Sequence, residues 1–130
     1  MAGTSIMLIS KRQYDFNNGS ATIVVAKAVN VVNWTSGALL CRVHSEDVAS
    51  SSTLKVIAKI TAPSSEEPGT DFVFTTAVAT VTIDSSTVAP TLLRDDLTAD
   101  FGGFLEITIE GTQSGGNCAA TISVELVLKD

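Results

Sequence analysis

The chain has 130 residues, of which 45% are apolar and 17% charged, and its formal net charge is −6. That length fits one domain and is too short for two ordinary ones, and the apolar fraction excludes a disordered tail. The acidic balance, with eight Lys and Arg scattered along the chain, leaves no basic stripe to release counterions from a phosphate backbone, so nucleic acid is not an expected partner.

No apolar stretch approaches the roughly 20 residues that a membrane helix needs. The opening Met1-Ala2-Gly3-Thr4-Ser5 lacks the basic start and long apolar run of a secretory signal, so the expected location is a cytoplasm or a virion. The apolar residues are chiefly Val, Ile, Leu and Ala, with abundant Thr and Ser. β-branched residues suit a pleated, half-buried surface, and the composition predicts an all-β protein.

Ser5–Ser10 is a short apolar run closed by Lys11-Arg12, read as a first strand. Residues 1–19 form either an N-terminal arm or an edge strand, with the core beginning near Ser20. Asn17-Asn18-Gly19 is a strong turn signal. The segment from Ser20 to Val32 is too rich in Val for a comfortable helix. Its apolar residues fall on both faces, as in a central strand or one covered on its outer side. Ala38–His44 is a strand with Leu39, Cys41 and Val43 on one face and Arg42 and His44 on the other. Glu46–Ser52 reads as an exposed polar connection.

In Thr53–Ala62, Leu54, Val56, Ala58 and Ile60 alternate with polar positions, the clearest period of two in the first half. Pro63–Gly69 is a loop by its Pro, Gly and acidic content. Asp71–Ile83 changes phase between Phe72 and Phe74 and the set Ala77, Ala79, Val81 and Ile83, which predicts a bulge or bend near Thr75-Thr76. Thr91–Asp100 holds the one candidate helical turn. Phe104–Glu110 and Ala119–Lys129 alternate cleanly and are joined by a Gly-rich segment, the pattern of a hairpin. About seven strands in one domain over residues 1–130 predict an antiparallel two-sheet sandwich, jelly-roll-like, rather than a barrel.

Chemistry is scarce. The single His44 has no nucleophile elbow or other local signature around a serine. Cys41 and His44, three apart on a strand, face opposite sides of the sheet and do not pair. One His and two distant Cys do not make a tetrahedral zinc site, and Asp84, Asp95, Asp96 and Asp100 follow no EF-hand pattern. Adjacent carboxylates such as Asp95 and Asp96 do not flank one glycosidic bond, and no phosphate-binding glycine fingerprint occurs. No catalytic residue, metal or cofactor is expected. Cys41 and Cys118 form a disulfide only if their Cα atoms lie about 4.4–6.8 Å apart. Without that pairing Cys41 is a small core hydrophobe. Trp34 and Tyr14 either plug the sheets or line a groove.

From Phe104 to Asp130 the cadence Phe-Leu-Glu-Ile-Thr-Ile-Glu-Gly-Thr-Gln-Ser-Gly-Gly, ending Val-Glu-Leu-Val-Leu-Lys-Asp, resembles the end of small virion proteins of tailed phages. The resemblance covers about a fifth of the chain. It implies a non-enzymatic β-sandwich that decorates or joins a capsid or tail, and it carries over no site residue. The expected function is therefore structural, a subunit of a symmetric assembly whose partners are itself or other structural proteins, most simply as a homo-oligomer. Its candidate contacts are Ile6, Met7, Leu8 and Ile9, an apolar run at a terminus that can pair with a neighbour's open sheet edge. The alternative is a carbohydrate- or other ligand-binding β-sandwich, which needs two or three coplanar exposed aromatics.

Overall fold

Eight strands alternate between two layers. The computed structural model describes residues 3–62, 72–98, 101 and 103–130, and only the backbone of 72–74. The strands are β1 (Gly3–Asp15), β2 (Ala21–Asn30), β3 (Ser36–Val48), β4 (Thr53–Ala62), β5 (Phe72–Ile83), β6 (Thr91–Asp96), β7 (Phe104–Thr112) and β8 (Cys118–Lys129). One four-stranded sheet has the order β1-β8-β3-β6 and the other β2-β7-β4-β5, with every pairing antiparallel. The chain crosses between sheets at every step except β4 to β5. This is the eight-stranded jelly-roll form of the β-sandwich.

The core follows from the two alternating strands that occupy the second place in each sheet. Leu105, Ile107 and Ile109 of β7 and Ile122, Val124, Leu126 and Leu128 of β8 are fully buried. Leu39, Cys41 and Val43 of β3 and Leu54, Val56 and Ala58 of β4 are buried with them in one apolar cluster. The polar positions between them lie on the opposite face because side chains in a strand alternate across the sheet, although Thr108 there is itself buried.

Four expectations are corrected. The Gly-rich segment after β7 does not make a hairpin, because β7 pairs with β2 and β4 while β8 pairs with β1 and β3. Both strands bury one face, and that alternation is the same whether they are bonded neighbours or lie in opposite layers. Thr91–Asp96 is a strand, not a helical turn, and it raises the count from seven to eight. It is an edge strand, anchored by Leu93 against Cys41 of β3. Glu46–Ser52 is not simply an exposed connection, since β3 continues to Val48, and Val48 and Ser52 are buried. Ser52 is satisfied there, its hydroxyl accepting the Ser114 N–H at 3.0 Å and donating to the Ser114 carbonyl at 3.2 Å.

The last correction concerns the start of the core. Ile9, Tyr14 and Phe16 all belong to it, so it does not wait for Ser20. The turn after β1 is tied to β8 by the Phe16 N–H donating to the Cys118 carbonyl at 2.8 Å. Asn17 Oδ1 in turn accepts the Cys118 N–H at 2.6 Å. Phe16 then lies over Gly111 so closely that a Cβ on Gly111 would fall inside the ring.

The expected irregularity in β5 is present, since between Lys59↔Ala77 and Thr61↔Val73 the β5 side carries extra residues. The phenylalanine side chains of Phe72 and Phe74, like the Pro63–Gly69 loop, lie outside the described residues.

Two substitutions test this packing by urea denaturation. Ile107→Ala or Leu126→Ala should cost about 2–5 kcal/mol, the range for truncating a large buried side chain. Gly111→Ala should cost about 1–3 kcal/mol, because the Phe16 ring has to move for the added methyl.

Candidate functional site

The single histidine does find a serine. His44 is the extra residue of a bulge in β3, between Val43↔Ile122 and Ser45↔Thr121, and a bulge re-aims the side chain it carries. Its Nε2 lies 2.8 Å from Ser123 Oγ on the outer face of the first sheet. On the other side β1 is bulged too, between Ile9↔Val124 and Arg12↔Ile122. There Lys11, at φ 40°, donates its backbone N–H to the same Ser123 Oγ at 2.9 Å. With that N–H donating into the oxygen, the hydroxyl hydrogen is free to donate to Nε2.

A serine beside an imidazole is the first half of a nucleophilic device, which also needs a third group to orient the base and donors for an oxyanion. Among the described residues no carboxylate bonds the second ring nitrogen of His44. Within the fold, Ser123 links the bulge of β3, through His44, and the bulge of β1, through the Lys11 N–H, to β8. Sequence reasoning missed it because the two residues are 79 positions apart and a bulge leaves no mark in the alternation around His44.

The other candidates for chemistry are occupied separately. Asp84 Oδ1 accepts the Ser86 N–H at 3.0 Å and the Ser86 hydroxyl at 2.6 Å, and these bonds hold its carboxyl below the usual range. Asp95 Oδ2 accepts the Thr80 N–H at 2.8 Å. Asp96 pairs with Arg94 at 2.8 Å. No group of metal-ligating side chains forms among the described residues. Asp100 lies outside them. Cys41 and Cys118 are both free and buried. Cys41 lies in the core, on the face opposite His44. Tyr14 is buried and Trp34 is packed against the core.

What remains exposed lies at the edges. β1 and β2 are the edge strands on one side of the sandwich, β5 and β6 on the other. The β5/β6 side is closed by polar contacts: besides the Asp95–Thr80 bond, the Thr98 N–H donates to the Val78 carbonyl at 3.1 Å. The β1/β2 side is splayed. Between its two strands runs a cleft of about 260 Å3 of mixed polarity, lined by Leu8, Ile9, Tyr14 and Ile23 to Val25 together with Ser10 and Arg12. The Arg12 guanidinium lies 5.3 Å from the centre of the Tyr14 ring, a cation–π contact.

Of the four contacts read from the sequence, Ile9 is in the core and Ile6 and Leu8 are half-buried against it. Met7 is 57% exposed. They lie on an edge strand paired with β8 on one side and bulged at Leu8 and after Ile9, so removing residues 1–12 strips a strand from the sheet rather than a loose arm. The larger exposed surface was not foreseen. β2, neither central nor covered on its outer side by this chain, leaves Ile23 41% and Val24 47% exposed. Two register shifts, between Val24/Ala26 and Ala26/Val29, explain why its apolar residues fall on both faces. The Val-rich run was the legible signal.

No protein-family model matches the chain, and no curated protein sequence matches it. Among solved structures, the chain is similar to one described as the structure of infectious bursal disease virus, Gx strain. The identity is 17% and the TM-score 0.49, over 98% of this chain and 32% of that one. The chain thus spans about a third of the length of that structure. A likeness at this level says nothing of function.

Burial pushes the Cys41 thiol up to about 12, from an ordinary value of 9.0. A raised folded value favours the native state below pH 9.0, and that advantage is lost as pH rises toward 12. Melting temperatures should therefore fall across this alkaline window, and less steeply in Cys41→Ala than in the parent chain. Native protein should also resist thiol alkylation at Cys41 near neutral pH and react once unfolded.

Proposed function

We propose that the chain is a non-enzymatic structural subunit that associates with copies of itself through the side of the sandwich formed by β1 and β2. The observation that carries this reading is β2 itself. It is a ten-residue edge strand with Ile23 and Val24 exposed and Lys27 its single charge. The two bulges of β2 discourage strand addition, but no proline, no charge besides Lys27 and no covering element among the described residues hides its apolar side chains, whereas Asp95 and Thr98 cover the edge on the opposite side. The apolar run that reads in sequence as a strand covered on its outer side is, in this proposal, covered by a second copy.

A jelly roll hosts many functions, so the fold alone selects none. A closed, symmetric particle is the setting that an exposed lateral edge favours, and the phage-virion cadence of residues 104–130 makes a capsid or tail component our specific choice. For the ligand-binding alternative no observation speaks: among the described residues Tyr14, Phe16 and Phe101 are buried, and Trp34 and Phe104 half-buried.

The mass in solution tests the reading. Sedimentation at high micromolar concentration should show a species of several copies. Ile23→Asp with Val24→Asp should return it to one copy, with the circular dichroism of the fold unchanged. A single-copy parent chain would sink the proposal. His44→Ala should leave the assembled mass unchanged, and a hydrolytic turnover that vanishes in that variant would put an enzyme first instead.

A further inference from the structure

The two lateral edges of the sandwich differ in charge. From Gly3 to Asn30, through β1, its turn and β2, the charged residues are Lys11, Arg12 and Lys27 against Asp15 alone, in a chain whose net charge is −6. From Asp84 to Asp96, through the β5–β6 connection and β6, they are Asp84, Asp95 and Asp96 against Arg94 alone. Strand order puts these two stretches on opposite sides of the sandwich.

Exposed apolar side chains divide the same way. Among the described residues the large exposed ones are Met7, Ile23 and Val24 on the first side and Val88 and Leu92 on the second. Val32, in the β2–β3 turn, is the one exception. Val88 is the most exposed of all, at 79%, and Leu92 is at 49%. The first side offers the cleft between β1 and β2 with Arg12 at its edge. The second offers an apolar projection among carboxylates.

We infer that the partner of the β1/β2 side is the β5/β6 side of a second copy, so that the chain assembles head to tail. This deepens the proposed function and rests on it. A self-paired contact, β1/β2 against β1/β2, brings Lys11, Arg12 and Lys27 against their own copies, and like charges set face to face disfavour association. The heterologous contact sets these cations against Asp84 and Asp96, the latter shared with Arg94, and seats Val88 and Leu92 beside Ile23 and Val24 at the cleft between β1 and β2. Its mode is side chain to side chain, because Asp95 and Thr98 already occupy backbone groups along the β5 edge. Repetition of such a contact gives a ring if the rotation closes and a filament if it does not.

Mixing distinguishes the two symmetries. A variant blocked on the first side, I23D/V24D, and one blocked on the second, V88K/L92K, should each sediment as single copies. Their equimolar mixture should give a species of two copies and no larger, since each pair retains one good contact and two blocked ends. A mixture that stays at one copy, or a V88K/L92K variant that assembles like the parent, overturns the head-to-tail inference and leaves self-association standing. A gentler pair, K27E and D96K, guards against misfolding. Each should assemble more weakly than the parent, and their mixture should recover. Failure to recover overturns the inference as surely.

Discussion

Two strands with one apolar face each, β7 and β8, must lose that face to something other than water. Their buried positions, Leu105, Ile107, Ile109, Ile122, Val124, Leu126 and Leu128, are wholly inaccessible. Each large side chain fully buried contributes roughly 1.5–3 kcal/mol, so these seven positions are a major part of what drives folding. Each strand sits inside its own sheet, flanked on both edges. The jelly-roll winding follows from that placement: β1 and β3 flank β8 while β2 and β4 flank β7, so the chain has to change layers at nearly every connection.

Winding of this kind leaves four edges, and the chain treats them unequally. On the β5/β6 side the backbone groups of β5 are met by a carboxylate and an amide from the segment around β6. On the β1/β2 side both strands are bulged, which twists an edge away from indiscriminate pairing, yet the apolar side chains stay in view. A bulged edge resists strand addition but still presents a shaped surface. That combination is the basis of the proposed self-association, and the charge difference between the two sides is the basis of its proposed direction.

The bulges also account for the histidine. His44 and Ser123 meet because β3 and β1 each carry an extra residue where they flank Ser123. The hydroxyl answers two groups the irregular ladders present, the Lys11 N–H and the imidazole.

Much of this was legible in the residues themselves. The alternation in Thr53–Ala62, Phe104–Glu110 and Ala119–Lys129 identified the strands and most of their buried positions, because a period of two is local and needs no partner. The phase change in β5 announced its bulge for the same reason. The alternation failed at the end of β4, where the ladder shifts between Lys59 and Thr61 and Thr61 is buried while Ile60 is only partly so. What the residues left open was every relation between strands. Whether β7 and β8 are bonded neighbours or lie in opposite layers makes no difference to which of their side chains are buried, so the pattern reads the same either way. Thr91–Asp96 carries two adjacent leucines and two adjacent aspartates, a poor strand by itself, and becomes one because β3 offers it a ladder. The Val-rich run of β2 looked central or covered on its outer side because its apolar residues fell on both faces. Only the tertiary arrangement decided that two bulges caused this and that the strand stands at an open edge. Edges, bulges and the meeting of distant side chains depend on which strand lies beside which, and that is settled by packing the whole core at once.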